Sequence, residues 1–337
     1  GLAGIGAGPD FRGPVADRLL LPTADGCRCI SDALAEADRL TATAHRMRGL
    51  LWEPPKEGAR FHFSLPGSVQ GWRASEQAGY SGALTLENQA GALALIAHDV
   101  APGRSGLATT PTFLTKEQMG ASGYALAASP TLYPGQNIRA RLIAPESNVG
   151  ALTVALCLFH YCPSDDLVKL GGPQTTLRAG EEAIVEWLIP ETGGWPISAV
   201  GFELSSSGRT NDSLFVDWLD WSGAPSTTFF KPADAGNDRI KGRTWQKAWV
   251  NGLDQFEDWD ASFRCTQNEG TGLAIVGCRE WKDYEVSATV KIGLAKSAGI
   301  ACCVQGMKRW YGLLLTDQGT VQLVKELDGR TLLDEKP

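Results

Sequence analysis

Short apolar runs separated by turn-forming residues recur along most of the chain after residue 60. They alternate with a period of two or are continuous over a few residues, which is typical of β-strands. These runs predict strands at 82–87, 92–97, 137–143, 152–161, 183–189, 198–205 and 214–221. Because no helical pattern separates them, an antiparallel sandwich is favoured, and turns at 134–136 and 178–181 suggest a jelly roll.

A second set of strand patterns follows residue 245. It predicts strands at 284–292, 299–305, 311–316, 321–326 and 330–333. Asp328-Gly329 is a strong signal for a tight hairpin turn. One such sheet needs a second sheet to cover its apolar face, so we expect the first half of a sandwich that continues beyond Pro337.

The beginning of the chain has a helical period instead. Apolar residues recur three or four positions apart between Ile30 and Met47, Ser31 can cap the first turn, and Gly49 can end the helix. A single amphipathic helix cannot bury its apolar stripe alone. We therefore expect it to pack against a helical domain that precedes Gly1.

Prolines and glycines mark two boundaries. Pro54-Pro55 stops the helix, and the stretch from Thr228 to Gly242 is rich in Pro, Gly and Asp. The expected organisation is a short helical remnant over 1–58, a β-sandwich over 59–232 and a partial β-sandwich over 233–337. The predicted fold class is therefore mainly β.

Charge and cysteine content exclude several kinds of partner. The net charge of −7 argues against nucleic acid and against an anionic membrane surface. No apolar stretch is long enough to predict a transmembrane helix. The 8 cysteines include no CxxC pair and only 4 histidines accompany them, so no zinc site is predicted. Cys302 and Cys303 are expected to be reduced and to point to opposite faces of a strand.

No complete catalytic constellation is present. There is no Gly-x-Ser-x-Gly turn with a histidine to serve it and no dinucleotide-binding glycine motif. Asp217 and Asp220, three residues apart on a strand, are expected to face opposite sides and so not to form a glycosidase pair. Asp258, in Asp-Trp-Asp, is interpreted as part of an exposed acidic turn rather than a metal site. We predict no catalytic and no metal-binding residue in this chain.

Residues 8–23, GPDFRGPVADRLLLPT, followed by Ser31-Asp-Ala and the predicted helix, resemble the C-terminal end of the ADP-ribosylglycohydrolase family. The resemblance covers about the first 50 residues. It implies an all-α hydrolase upstream that uses two Mg²⁺ ions, whose Asp-x-Asp-Ser/Thr motif would precede Gly1. No cofactor is thus expected in this chain itself.

The two β regions resemble accessory modules of sugar-processing enzymes. Residues 61–222, through Gly201-Phe-Glu-Leu and the 214–221 strand, resemble galactose-binding-like jelly rolls. Residues 270–337, through Trp281-Lys-Asp-Tyr and Arg309-Trp-Tyr-Gly-Leu, resemble concanavalin-like and laminin-G-like sandwiches. The implied partner is a carbohydrate or a glycosylated substrate.

Aromatic side chains are the candidate ligand contacts. A sugar ring has an apolar C–H face that stacks on a flat aromatic ring, and a polar rim that needs hydrogen-bonding partners. Residues in loop-like sequence or at the start of a strand are the candidates, although most Trp residues of a chain belong to its core. They are Trp72, Tyr80, Trp195, Trp310 and Tyr311.

The sequence therefore predicts the non-catalytic C-terminal region of an ADP-ribosylglycohydrolase-like hydrolase, with β modules that bind carbohydrate. The alternative is a set of spacer or protein-interaction modules with no ligand. A third hypothesis, half of a sugar-modifying enzyme, ranks last because no acid and base residues are found. The compartment is left open, since a targeting signal could precede Gly1.

Overall fold

A computed structural model describes residues 20–23, 26–29, 56–77, 79–80, 82–115, 128–238, 240–259, 262–278, 280–281 and 283–337, with the backbone alone at 20–29. The chain separates into two compact units, Gly1–Ala59 and Arg60–Pro337. In the first, β1 (Leu20–Thr23) and β2 (Gly26–Cys29) form an antiparallel hairpin, and Lys56–Gly58 is a 3₁₀ turn. The helix expected after Ser31 lies outside the described residues.

Ten strands of the second unit form two antiparallel five-stranded sheets. They are β3 (Arg73–Ala74), β4 (Leu84–Gln89), β5 (Ala92–Ala97), β6 (Ser105–Pro111), β7 (Asn137–Ile143), β8 (Leu152–Tyr161), β9 (Leu167–Leu177), β10 (Glu182–Leu188), β11 (Ile197–Ser205) and β12 (Ser213–Ser222). The first sheet has the order β10-β7-β12-β5-β4 and the second β3-β6-β11-β8-β9. The predicted mainly β fold class and antiparallel sandwich are confirmed.

Alternation along the strands puts one side chain in two into the space between the sheets. Leu95 and Leu142 of the first sheet and Leu156 and Phe202 of the second are fully buried there. Burial of apolar side chains contributes about 25 cal/mol per Å² of apolar area removed from water, and it is the main force that holds two such sheets together. The residues between these positions point outward, so their side chains are not part of the core and can contact a ligand.

Three strands of the sandwich, β3, β6 and β9, were not predicted. Gly106 and Pro111 interrupt the apolar pattern of β6, and Gly171-Gly172-Pro173 interrupts that of β9. Both strands form because their neighbours β11 and β8 supply the backbone partners. Pairing thus overrides a weak local preference.

The sequence-based expectation for Asp217 and Asp220 is wrong. A β-bulge between Val216 and Trp218 adds a residue to β12 and shifts the alternation. Asp217 lies beside Arg141, and Asp220 pairs in register with Arg139, so both carboxylates are on the outer face of the first sheet.

Residues 229–278 pack on the end of the sandwich through aromatic side chains. This segment contains β13 (Val250–Gly252), β14 (Gln255–Trp259), β15 (Ser262–Thr266), β16 (Leu273–Ile275) and one short helix, α1 (Thr244–Lys247). Trp245 of α1 is buried with Phe113, Tyr161 and Trp195. Asp165, in the loop before β9, accepts hydrogen bonds from the Gly242 and Thr244 amides, at 2.8 and 3.2 Å.

The C-terminal residues form a four-stranded antiparallel meander of β17 (Ser297–Gly306), β18 (Arg309–Thr316), β19 (Val321–Leu327) and β20 (Arg330–Lys336). Asp328-Gly329 joins the last two strands, as predicted. Trp310, Leu314 and Val324 are buried on one face, whereas Leu313 and Leu323 are exposed on the other.

The strand predicted at 284–292 is not formed. This segment has an alternating pattern, but none of the described strands pairs with it. A strand requires a neighbour for its backbone groups, and side-chain alternation does not supply one. Within the described part of the chain, no helix is long and apolar enough to cross a membrane.

Candidate functional site

The outer face of the second sheet is polar at the end that carries Ser105, Thr153 and Ser205. Because β6, β11, β8 and β9 are paired in register, their outward residues form rows across the sheet. One row is Leu107, Glu203, Ala155 and Gln174, and the next toward the sheet end is Ser105, Ser205, Thr153 and Thr176. Small side chains in the middle of these rows leave a shallow depression.

Four side chains, which we call the polar tetrad, meet over this face: Tyr80, Ser105, Lys169 and Glu203. Glu203 Oε1 accepts from the Ser105 hydroxyl at 2.6 Å and from the Tyr80 hydroxyl at 3.3 Å. Lys169 Nζ lies 2.7 Å from Glu203 Oε2 and 3.2 Å from the Tyr80 hydroxyl. The carboxylate is therefore held by three donors from three different segments of the chain.

The tetrad stabilises the charged form of both ionic groups. Partial burial by itself raises the pKa of Glu203, but the hydrogen bonds from Lys169 and Ser105 outweigh it and leave the pKa below its usual range. For Lys169, burial by itself lowers the pKa, but the hydrogen bonds to Glu203 and Tyr80 raise it overall. Both groups are ionised at neutral pH and are held in position by their hydrogen bonds to one another.

Beside the tetrad lies an open cleft of about 290 Å³. Its walls are mostly small or polar, so it presents hydroxyl, amide and backbone groups rather than an apolar surface. Arg104, on the turn before β6, lies at its border and is exposed. The cleft residues are Gly103, Arg104, Ser105, Thr153, Ala155, Gln174, Glu203, Ser205 and Ser206.

An apolar patch lies next to the tetrad on the same face. Leu107, Cys157 and Phe159 are buried there, and the ring of Tyr80 packs on them. Burial raises the pKa of the Cys157 thiol to about 12, so this cysteine is a packing residue and not a nucleophile. Gly201 keeps the centre of the face flat, since an added Cβ would lie 2.6 Å from the Ala108 carbonyl oxygen.

The structure buries three of the five aromatic residues predicted to contact a ligand. Trp72, 2% exposed, lies between the sheets and stacks on Phe202 at 5.5 Å between ring centroids. Trp195 is 4% exposed and donates to Asp234 at 2.9 Å. Trp310 is 2% exposed and donates to a backbone carbonyl. The expectation that Trp72 and Trp195 lie on accessible loops, and that Trp310 lines a concave face at the start of a strand, is corrected, because each ring fills an apolar cluster.

Tyr80 and Tyr311 are the two predicted residues that remain accessible. Tyr80 is part of the tetrad, and Lys169 Nζ lies 5.8 Å from the centroid of its ring. Tyr311 is 40% exposed on the open face of the C-terminal sheet, where Lys325 Nζ lies 5.9 Å from its ring centroid. Only Tyr80 lies beside the cleft.

Sequence reasoning missed the polar residues of the site. Glu203 stands alone among apolar neighbours in Gly201-Phe-Glu-Leu-Ser, a position where a strand alternates between core and surface. An isolated carboxylate at such an outward position is a usable signal. Lys169 and Gln174 could not have been found, because they lie on β9, which was not predicted.

The described residues contain no group of three or more His, Cys, Asp or Glu side chains that could hold a metal ion. Asp258 forms ion pairs with Arg243 and Lys231, and chiefly the hydrogen bond from Arg243 lowers its pKa to about 2. It is a partly buried structural carboxylate rather than part of an exposed acidic turn.

No family model matches this chain, and no curated protein matches it. Among solved structures, it is similar to a carbohydrate-binding module of the β-sandwich superfamily, with TM-score 0.35 and 12% identity over 49% of this chain and 62% of the other. It is also similar to the xylan-binding domain CBM22-2 of Paenibacillus barcinonensis Xyn10C (TM-score 0.31, 15% identity, 47% of this chain and 94% of the other).

A third similar structure is the C-terminal family 22 carbohydrate-binding module of Clostridium thermocellum Xyn10B. Its TM-score is 0.34 at 13% identity, over 52% of this chain and 99% of the other. At these values the similarity supports no statement about a ligand of the present chain. The class of ligand that the cleft can bind therefore follows only from the residues that line it.

Proposed function

We propose that the sandwich formed by β3–β12 is a non-catalytic carbohydrate-binding module whose ligand occupies the cleft on the second sheet. The observation that carries this proposal is the polar tetrad. It presents a charged acceptor, a charged donor and a phenol ring side by side on an otherwise small and polar surface.

Saccharide chemistry fits these groups. A sugar hydroxyl both donates and accepts, so it can donate to Glu203 and accept from Lys169, whose ammonium has a third proton left after bonding Glu203 and Tyr80. Thr153, Gln174 and Ser205 continue the donors and acceptors along the cleft. The Tyr80 ring offers the flat apolar surface on which a sugar C–H face can rest.

Because hydrogen bonds within the tetrad already hold these side chains in place, binding requires little reorganisation of them. Ordering a mobile polar side chain at an interface costs about 0.5–1.5 kcal/mol, and that cost is avoided here. Linear or branched oligosaccharides that lie across β11, β8 and β9 are the expected ligands.

The test is a glycan array with the whole chain, followed by titration calorimetry of Glu203→Gln against the glycans that bind. Loss of the carboxylate should weaken binding at least about tenfold, because hydrogen bonds to charged groups are the strong ones. Glu186→Gln is the matched control, since Glu186 pairs with Arg139 on the other sheet. No binding at millimolar glycan, or equal losses in both variants, would contradict the proposal.

We further propose that this module belongs to the C-terminal region of an ADP-ribosylglycohydrolase-like hydrolase. The support is the sequence resemblance of residues 8–23 and 31–33, and the Mg²⁺ ions it implies would be held upstream of Gly1. Incubation of this chain with ADP-ribosylated protein and Mg²⁺ should release no ADP-ribose. Release by this chain alone would show that its active site lies within these residues.

A spacer or protein-interaction role is the competing function, and one observation favours it. Three aromatic rings that could have stacked on a sugar are buried in apolar clusters instead: Trp72, Trp195 and Trp310. The glycan array discriminates between the two functions. A chain that binds no saccharide but retains its fold would be a spacer or a protein-interaction module.

A further inference from the structure

Cys302 and Cys303 lie together in an irregular part of β17. The ladder between β17 and β18 is regular from Ser297 to Cys302 and then shifts before Gly306. At this point Cys303 has a φ of +53°, in the left-handed region that a non-glycine residue seldom occupies. The alternation that would send the two side chains to opposite faces is therefore broken.

As a result, the two thiols are neighbours in space as well as in sequence. Partial burial and the neighbouring Cys303 thiol raise the pKa of Cys302, so the two side chains lie close together, contrary to the expectation of opposite faces. Cys303 is exposed, and Cys302 is half-buried behind it. One thiol thus meets solvent first and the other lies within its reach.

Tyr284 holds this arrangement from the preceding segment. Its hydroxyl accepts a hydrogen bond from the Cys303 amide at 3.0 Å. A backbone amide that would otherwise pair in the ladder is therefore satisfied by a side chain. This contact fixes the peptide between the two cysteines.

We propose that Cys302 and Cys303 form a dithiol site that is reversibly oxidised, as a unit, by small-molecule disulfides. The Cys303 thiolate attacks one sulfur of a disulfide RSSR, which forms a Cys303–SR mixed disulfide and expels RS⁻. Cys302, which loses its proton less readily than a free thiol because partial burial raises its pKa, then attacks Cys303 Sγ as the thiolate. This step forms the Cys302–Cys303 disulfide and expels the second RS⁻. Each RS⁻ takes the proton lost by one cysteine, so two thiols are oxidised while RSSR is reduced to two RSH.

The product is a labile disulfide rather than a structural one. Adjacent Cα atoms across a trans peptide are about 3.8 Å apart, whereas disulfides usually join Cα atoms about 4.4–6.8 Å apart. The ring is thereby strained, and strained, exposed disulfides are the easily reduced ones. The irregular ladder after Cys302 gives the backbone room to adapt, since residues 303–305 have no register partner on β18.

The experiment equilibrates the whole chain with mixtures of oxidised and reduced glutathione, quenches with acid, and maps the peptides by mass spectrometry. The expected result is a Cys302–Cys303 peptide lighter by two hydrogen atoms, which reappears as dithiol when reduced glutathione is in excess. Cys265 is the comparison, since it is exposed and single. It should carry only a mixed disulfide with glutathione.

Two variants sharpen the result. Cys302→Ser should leave a stable mixed disulfide on Cys303, because the second thiolate is absent. Tyr284→Phe should move the midpoint of oxidation toward a lower ratio of oxidised to reduced glutathione, since the Cys303 amide loses an acceptor that it has in the dithiol form. Persistence of the mixed disulfide on wild-type Cys303, a cross-link to another cysteine, or no modification would each overturn the proposal.

Discussion

Lys169 and Glu203 are joined across an intervening strand. They lie on β9 and β11 with β8 between them, yet Lys169 Nζ is 2.7 Å from Glu203 Oε2. Lys169 is in register with Phe159 of β8 and Glu203 with Ala155, so the lysine side chain runs diagonally over β8 to reach the carboxylate. The pair therefore ties an edge strand to the middle of the sheet as well as presenting two charges at the cleft.

This pair should contribute modestly to stability. In a double-mutant cycle of Lys169→Met and Glu203→Gln, we expect a coupling free energy of about 0.5–1 kcal/mol, because both side chains are partly exposed and screened. Urea unfolding at neutral pH measures it. A coupling near zero would show that the contact orients the site without stabilising the fold.

The same carboxylate should give stability a pH dependence with a definite sign. Because folding lowers the pKa of Glu203, its contribution is complete above the unfolded-state value of about 4.5 and is lost as the pH falls through the lower folded-state value. Between neutral pH and pH 3, Glu203→Gln should therefore lose less stability than the wild-type chain does. Parallel pH profiles of the two proteins would contradict this.

Gly201 and Gly171 offer a matched pair on one sheet face. Gly201→Ala should cost about 1–3 kcal/mol, because the new Cβ would lie 2.6 Å from a backbone oxygen that cannot easily move. Gly171→Ala meets open space on β9, so its effect should stay within about 0.5 kcal/mol. Chemical unfolding measures the free energy of unfolding of both variants. Equal losses of stability would contradict the crowding at Gly201.

Trp72 should behave as a core residue. Its replacement by Ala should cost about 3–5 kcal/mol, as expected for a buried aromatic side chain. Trp259→Ala is the control, since this ring is 61% exposed and removing it should leave the unfolding free energy nearly unchanged. A folded, stable Trp72→Ala variant that lost glycan binding would restore Trp72 as a ligand contact.

Asp165 should control how firmly the segment after the sandwich is attached. Besides the two amides, its carboxylate accepts from the Thr244 hydroxyl at 2.6 Å, in the manner of a helix cap supplied from another loop. Asp165→Ala should lower the free energy of unfolding by about 1–2 kcal/mol and increase protease cleavage between residues 238 and 248. Asp166→Ala is the control, because Asp166 binds only nearby groups of its own loop.

The strands that could be predicted are those whose own residues show a clear pattern of apolar positions. Asn137–Ile143 and Leu152–Tyr161 have the predicted bounds, because a full set of apolar side chains marks each of them. The edge strand β9 carries Gly-Gly-Pro in its middle, and only its pairing with β8 makes it a strand. Since Lys169 lies on β9, its ion pair with Glu203 could not be predicted from the sequence.

The burial of the aromatic residues could not be predicted from local sequence either. Trp72 and Trp195 occur in sequence rich in Gly and Pro, which suggests loops, but a loop that folds back can still bury its ring. Neither position shows periodic spacing that would have indicated a core role. By contrast, the partners of Glu203 come from residues 80, 105 and 169, a convergence set by strand order and not by spacing.

Three of the buried indoles have a practical consequence for spectroscopy. Trp72 lies between the two sheets, Trp195 in the cluster that joins the following segment to the sandwich, and Trp310 under the C-terminal meander. Each reports on a different part of the molecule through its fluorescence. Single Trp→Phe replacements would therefore resolve whether these parts melt together or one after another.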